Sequence, residues 1–581
     1  MKQNEIAVLF DQMADLLEYQ GENVFRVRAY RRAAQNLESF AGDLEALAAG
    51  SRLAEIPGVG KDLAAKIEEY LATGRIQAVD KLKTQIPRGV LELIQVPGLG
   101  PKTAKRLTEQ LKVDTLAGLE AAIRSGKLKT VPGFQEKKAQ NLLKGIQLVR
   151  QGRERMPLGT ALMLAKELVA LLERVPGVSR VSTAGSLRRM RETIGDLDLL
   201  AASRNPSKVI DVFRRSATAA RVLAAGPTKA SILTKDGLQV DLRVVKPESF
   251  GAALQYFTGS KEHNVRLRDL AVRQGLKVNE YGVFRLKDNR RLAGREEEDV
   301  YKALGLPWMP PEIREDQGEL EAAKSGTLPR LVELKDIRAD FHVHTTASDG
   351  NHPLDAMAKA GEDHGYAFMV ITDHSPSLKI ARGLTVARLR QQIAKVRAWN
   401  RAGRRMRLLV GAEVDILTDG SMDYPDPVLA QLDFVIGSIH SGFAQSERQI
   451  TQRMVRAMRN PYVNMIAHPS GRLIGQREPY ALDYETAFKE AVATGTAMEI
   501  NAYPRRLDLT AAAARRAHEA GVMLAIATDS HHKDHLDHMG IGVGLARRAW
   551  VEPRHLLNCF ASAGQLAAWV GAKRRRTAKR V

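Results

Sequence analysis

Gly185-Ser-Leu-Arg-Arg-Met-Arg-Glu-Thr-Ile-Gly-Asp-Leu-Asp198 lies between two short apolar runs, 178–183 and 197–201, that read as strands. Successive side chains of a strand alternate faces, so Asp196 and Asp198 point the same way. Two adjacent carboxylates repel unless a cation sits between them, and oxygen ligands suit a divalent metal. Gly185, Ser186 and the arginines that follow supply backbone N–H, hydroxyl and guanidinium donors, which is what a polyphosphate needs. A bare Asp-x-Asp reads more simply as a surface strand beside a solvated loop. The glycine, serine and arginine context favours the metal and the phosphate.

Downstream, Leu238-Gln-Val-Asp-Leu-Arg-Val-Val245 alternates polar and apolar residues like a half-buried strand. A carboxylate there is costly to bury alone. Asp241 therefore faces water or joins Asp196 and Asp198 across a sheet. Residues 157–175 and 209–217 carry helical patterns.

Upstream, residues 1–50 read as helical, and a motif then repeats. Ile56-Pro-Gly-Val-Gly60 and Val96-Pro-Gly-Leu-Gly100 each precede a helical stretch, and Val131-Pro-Gly-Phe134 is a third, incomplete copy. Gly58, Gly60, Gly98 and Gly100 make tight turns that expose N–H groups at a helix N-terminus, a ready anion site. Lys61, Lys102 and Lys105 add charge beside them. The net charge of +21 over 581 residues points to an anionic partner, nucleic acid first and acidic lipid second, and the repeated turns resemble helix-hairpin-helix motifs, which hold DNA phosphates without reading sequence. Purely structural turns are the plainer alternative.

The single cysteine, Cys559, excludes a disulfide framework and a cysteine-rich zinc module. No apolar run is long enough to span a bilayer, and the N-terminus shows no signal-peptide plan. A cytoplasmic, nucleoid-associated monomer with no membrane partner is the expectation. All but one of the 14 histidines follow residue 340, so the two halves differ chemically.

In that second half, apolar runs end repeatedly in metal-ligand residue types. They close on His342 and His344, on His374, on Glu413, on His440, on His468, and on Asp529 and His531, with Asp349 in a loop. Helical stretches lie between them, which predicts a (β/α) barrel with its chemistry at the strand C-termini. The lysine- and arginine-rich run 573–580 predicts a disordered basic tail that touches DNA backbone.

Gly-Ser-Leu-Arg-Arg with Gly-Asp-Leu-Asp, then Gln-Val-Asp-Leu-Arg, then Tyr256-Phe-Thr-Gly-Ser260, resembles the family X DNA polymerases, the group typified by DNA polymerase beta. The upstream repeats sit where that family has helix-hairpin-helix motifs, so the resemblance covers about 1–315. It implies that Asp196, Asp198 and Asp241 are the catalytic carboxylates, holding two Mg²⁺ ions. By the same resemblance Gly185, Ser186, Arg189, Gly195 and Arg155 hold the triphosphate of an incoming dNTP. Tyr256, Phe257 and Gly259 pack on its sugar, and Asn264 and Arg268 make minor-groove contacts to nucleotide and template. Lys261 stands where the animal member has an acidic residue. Lys66 matches a Schiff-base lysine of members with 5′-deoxyribose-phosphate lyase activity, but Asp62 replaces a supporting lysine.

The second half resembles the polymerase-and-histidinol-phosphatase (PHP) domain over about 339–570. One metal would take His342, His344, Glu413 and Asp529, a second Glu413, His440 and His468, and a third Asp349, His374 and His531. Mixed imidazole and carboxylate ligation suits Mn²⁺, Zn²⁺ or Fe²⁺ better than Mg²⁺, up to three ions, and phosphoester hydrolysis.

The organisation that follows is multidomain. All-α helix-hairpin-helix units occupy 1–80 and 81–150, an α+β nucleotidyltransferase palm 151–250, and a nucleotide-selection domain 251–315. A linker at 316–338 leads to a distorted (β/α)7 PHP barrel at 339–570 and a basic tail at 571–581. The function implied is a DNA polymerase that fills short gaps in repair, for example in base excision, on gapped or primer-template DNA. Its barrel would be a Mn²⁺-dependent 3′–5′ exonuclease, with apurinic endonuclease or 3′-phosphatase activity as extensions. The alternatives are a DNA-end-binding scaffold with inactive sites and a small-molecule phosphatase carried on a DNA-binding module.

Overall fold

The computed structural model describes residues 2–38, 44–56, 58–87, 89–94, 96, 99–131, 134, 139–140, 142–143, 145–146, 149 and 155–578. Two helical units come first. Phe10, Tyr30, Leu63 and Ile67 belong to the core of one, and Val90, Leu99, Ala104 and Leu107 to the core of the other. Gly60 and Gly100 are the extended N-caps of helices Lys61–Thr73 and Pro101–Leu111, and nothing lies within 4 Å of where their Cβ would be. Gly98, and Pro132 and Gly133 of the third repeat, lie outside the described residues.

The short strands β1 (Met156–Pro157) and β3 (Thr193–Ile194) pair beside a five-stranded sheet. That sheet contains β2 (Val178–Thr183), β4 (Asp196–Ser203), β5 (Ala219–Ala225), β6 (Lys229–Thr234) and β7 (Gln239–Val245), in the order β2-β4-β7-β6-β5. Leu197, Leu199, Val240 and Leu242 face one core with helices Leu158–Glu173 and Pro206–Arg214. Leu200 and Ala202 face the other side, under helix Phe250–Thr258. Strand alternation puts Asp196, Asp198 and Asp241 on that second side.

A three-stranded sheet, β8 (Leu276–Asn279), β9 (Gly282–Arg285) and β10 (Arg291–Ala293), follows with its helices. Residues 316–338 are not a bare linker. Helix Glu319–Ser325 puts Leu320 and Ala323 into the core of this domain, and fully buried Glu319 bonds His263 Nδ1 at 2.7 Å. Most of the charges here stay exposed, but Glu319 turns inward and is paired, as a buried carboxylate requires.

Seven parallel strands then follow in sequence order, forming a nearly closed barrel. They are β11 (Ala339–Val343), β12 (Phe368–Ile371), β13 (Arg407–Asp415), β14 (Phe434–Ser438), β15 (Val463–Ile466), β16 (Ala497–Asn501) and β17 (Leu524–Ala527). His344 N donates to Ser530 O at 2.8 Å and Ser530 N to His342 O at 3.1 Å, which joins the two ends. Phe341 packs on Phe368 and Phe434 within one core cluster.

Residues 571–578 of the predicted disordered tail are instead the end of helix Ala563–Ala578, and 579–581 lie outside the described residues. Leu566 and Val570 complete the same cluster as Phe341, and buried Lys573 donates to the carbonyls of Met458 (3.0 Å) and Asn460 (3.4 Å). These carbonyls lie at the C-terminal end of helix Glu447–Arg459, where a cation is favoured. By itself the basic run has the pattern of a solvated tail, because its partners lie more than a hundred residues away.

Palm and barrel share one apolar core. Residues 190–192 seat in the barrel. Met190, at φ 55°, covers Gly544, and Glu192 accepts from Arg472 at 2.9 Å and from Ala511 N at 3.3 Å.

Candidate polymerase and metal centres

In the palm, β4 and β7 run parallel with Asp198 opposite Asp241 and Asp196 opposite Gln239. Three carboxylates thus share one sheet face. Burial first, then the charges of Asp196 and Asp241, push the Asp198 carboxyl up to about 7, with Arg189 and Arg243 opposing. Asp241 accepts from Ser231 Oγ and, at 2.9 Å, from Gln239 Nε2. Gly185 sits at φ +59°, where a Cβ would lie 2.0 Å from Asp198 Oδ2. The Ser186 Oγ is buried with no hydrogen-bond partner. A like-charged acidic cluster beside a free buried hydroxyl fits cations and a phosphate-bearing ligand.

The other predicted nucleotide contacts are placed around this face. Arg189 Nε donates to Glu315 at 3.0 Å and Nη1 to Thr258 O at 2.5 Å, and Gly259 lies against its guanidinium. Glu315 also receives Arg191 and, from the barrel, Arg548 at 3.0 Å. Arg155 is bonded to Thr193 of β3 (2.9 and 2.6 Å). Gly195 sits between β3 and β4. The rings of Tyr256 and Phe257 meet edge to face at 5.2 Å. The amide of Asn264 is taken up by Gln255 and by the Tyr256 carbonyl, both at 2.7 Å, so it braces the helix end. Arg268 Nε donates to Asn264 O at 3.2 Å.

In the helical units, Gly58 (φ 82°), Lys61 and Lys102 are exposed, whereas Lys105 Nζ donates to Gln20 O at 3.1 Å. Lys66 Nζ is ion-paired to Asp62 at 2.6 Å. Its partner carboxyl is held below the usual range by that bond.

The barrel gathers all nine candidate ligands. Ligand atoms of His344, Asp349, His374 and His531 lie within 4.8 Å of one another, as do those of His342, His344 and Asp529, and those of His374, Glu413 and His440. His468 Nε2 is 3.0 Å from Glu413 Oε1. The grouping differs from the expected one in detail, since His344 and His374 each stand between two groups. Both ring nitrogens of His344 are buried without a hydrogen-bond partner. Burial pushes His344 and His468 down to about 3, leaving neutral imidazoles. Glu413 and Asp529 stay ionised against their burial because charged histidines surround them, His374 and His342 foremost. His344 and His468 as neutral imidazoles and the two ionised carboxylates are in the forms that bind metal, and His342 and His374 would give up a proton to an incoming ion, so the donor set fits the implied ions.

Residues outside the predicted set orient these groups. Glu499 binds His342 Nδ1 at 2.7 Å, and Asp415 binds His440 Nδ1 at 2.6 Å. Asp373 receives Thr345, Ser348 and Gln392, which holds the turn leading to Asp349. Arg506 reaches Asp529 at 3.2 Å, while its Nη1 is buried without a partner. Strand alternation signals Asp415, two residues after Glu413. The same alternation places Gln239 beside Asp241, whereas nothing local to the sequence signals Ser231, which β6 brings opposite Asp241.

A nucleotidyltransferase-type palm flanked by helix-hairpin-helix units and joined to a metal-binding barrel is the class defined by fold and site. Known families divide the chain in the same way. A helix-hairpin-helix domain matches residues 1–76, a SAM-like helix-hairpin-helix tandem 90–147, the DNA polymerase beta thumb 253–315 and the PHP domain 340–502. The DNA polymerase/3′-5′ exonuclease PolX of Bacillus subtilis (strain 168) is 39% identical over 560 residues, 96% of this chain and 97% of its own. DNA polymerase lambda of Rattus norvegicus is 26% identical over 334 residues, 52% of this chain and 54% of its own. A probable phosphatase of Syntrophotalea carbinolica is 32% identical over 166 residues, 28% of this chain and 64% of its own. The chain belongs to the PolX family, the bacterial family X DNA polymerases that carry a C-terminal PHP domain.

Proposed function

We propose that this chain extends primer 3′ ends in short DNA gaps during repair and that its barrel removes nucleotides from 3′ ends. The observation that carries the reading is the presence of two separate acidic centres in one basic chain. One is the Asp196, Asp198 and Asp241 face beside the free Ser186 hydroxyl, and the other is the histidine-rich barrel site. Mg²⁺ bound by the three aspartates would lower the cost of ionising a primer hydroxyl and of releasing pyrophosphate.

The remaining work falls to side chains. Ser186 Oγ and the Arg189 guanidinium grip the triphosphate, with Arg189 exchanging Glu315 for phosphate oxygen. Ser231 and Gln239 hold one orientation of Asp241, which faces the primer hydroxyl. The paired rings of Tyr256 and Phe257 pack on the sugar and exclude a 2′-hydroxyl. The open N-termini at Gly60 and Gly100, with Lys61 and Lys102, grip backbone phosphates. Lys66 is left out of this catalytic set. Its amine is taken up by Asp62, which stands in place of a supporting lysine.

In the barrel, Mn²⁺ or Zn²⁺ would supply an activated water and charge neutralisation for phosphodiester cleavage. Arg506, with one N–H unpaired, would bind the scissile phosphate. Because relatives of the barrel alone include probable phosphatases, a small phosphomonoester is the second substrate to try.

The test uses a 5′-labelled primer on a one-nucleotide gap, with and without dNTPs, in Mg²⁺ and then Mn²⁺. Asp241→Asn is expected to abolish extension and leave 3′ degradation. His344→Ala is expected to do the reverse. Loss of both activities in either variant would sink the two-centre reading, and faster turnover of a free phosphomonoester than of DNA would favour the phosphatase.

A further inference from the structure

Residues 375–385, between β12 and helix Val386–Arg401, form a loop built onto the barrel's metal-binding residues. One foot follows His374 directly. Ser375 N donates to Glu413 O at 3.0 Å, and Ser377 Oγ donates at 2.7 Å to Asp415, whose other oxygen orients His440. The other foot returns to the same place, with Leu384 N bonded to His374 O at 2.7 Å. Gly383 passes so close to the Ser375 carbonyl that a Cβ would lie 1.8 Å from it. Tyr424 OH and Arg388 bind the Leu384 and Arg382 carbonyls.

At the crest of this braced loop is the 3-10 turn Lys379–Ala381. Ala381 is buried, and beside it Ile380 is 91% exposed, more than any other large apolar side chain among the described residues. Lys379 and Arg382 flank it, are exposed, and have no ion-pair partner among the described residues. Ile380 is three residues from Ser377, so the chain places it within about 11 Å of that residue, which is anchored on Asp415. That is about three base-pair steps along a duplex.

His342 and His344 are fully buried and the cluster opens to the surface at Asp349 and His531, each 30% exposed, so a 3′-terminal nucleotide that meets the inner ligands has to be drawn in, away from its complement. An apolar wedge between two cations is the chemistry that parts stacked bases while holding the phosphates on either side. We propose that Ile380 is a strand-separating wedge and that its partner is the paired 3′ terminus of duplex DNA. This rests on the exonuclease reading of the barrel.

The experiment compares wild type, Ile380→Ala and Ile380→Phe on one labelled strand, presented alone, fully annealed, or annealed with three unpaired 3′ nucleotides. Ile380 touches no ligand, so single-strand degradation is expected to be unchanged in all three proteins. On the annealed strand, Ile380→Ala is expected to slow degradation by about tenfold, because a few base steps must then open without help. Phenylalanine should restore the rate, and the unpaired 3′ end should erase the difference. A duplex-to-single-strand ratio equal in wild type and Ile380→Ala would overturn the wedge. A wild type that degrades neither form would overturn the exonuclease reading itself.

Discussion

Asp198 shows how one residue can be set against the stability of its own fold. Its carboxyl titrates near 7 in the folded chain and near 3.8 when free of the fold, because burial and two neighbouring carboxylates penalise its charge. The folded state therefore binds the extra proton between those values. Its contribution to stability is present at low pH and is lost as pH rises through about 7 in metal-free protein. Asp198→Asn should remove that penalty. We expect the metal-free variant to gain on the order of 1–3 kcal/mol at pH 8, and less at pH 5, with nucleotide addition abolished. Denaturant unfolding of both proteins at the two pH values measures this. In the barrel, the Glu499 carboxylate fixes the ring of His342. Glu499→Gln should weaken metal binding about 10- to 100-fold, read as metal content after dialysis and as the Mn²⁺ concentration needed for half-maximal 3′ degradation.

Among the elements, the C-terminal helix Ala563–Ala578 carries the clearest reversal. Four basic residues in a row pointed to a solvated tail. Yet Lys573 and Thr577 are buried, and Arg574 lies over the Tyr462 ring at 5.1 Å while donating to Leu432 O. Deleting 571–581 should therefore destabilise the barrel by about 2–4 kcal/mol, because it strips partners from buried carbonyls. The shift of the denaturant midpoint reports it. A disordered tail would leave that midpoint in place and change only DNA affinity. The loop 189–192 is a second case. Read as a phosphate-binding loop, it is also the palm's seat on the barrel, through Met190 and Glu192.

Across the whole molecule, the net charge of +21 should govern the first encounter with DNA. If the exposed lysines and open helix N-termini each displace a counterion, affinity for a gapped duplex should fall by about 10³ between 50 and 200 mM salt. Fluorescence anisotropy over that range measures the slope, and a flat response would contradict phosphate-clamp binding. The palm and the barrel share a continuous apolar core, and Glu315 bridges Arg189 of the palm to Arg548 of the barrel. The two centres therefore belong to one packed body. No helix among the described residues is long and apolar enough to cross a membrane.

The sequence alone determined the kinds of parts: an Asp-x-Asp strand behind a glycine-serine turn, repeated glycine turns before helices, and parallel strands ending in ligands. These are local, because alternation, turn chemistry and apolar runs act over a few residues. It left open whether Asp241 faced water or its fellow aspartates. Only the parallel register of β4 and β7, a contact across more than forty residues, put it beside Asp198. The same holds for His344 and His374 standing between metal groups, for Asn264 bracing a helix end, and for Lys573 turning inward. Each depends on which distant partner packing supplies. The Asp196–Asp198 pair was thus legible as a metal site, while the distribution of its charge and proton was decided by burial in the folded sheet.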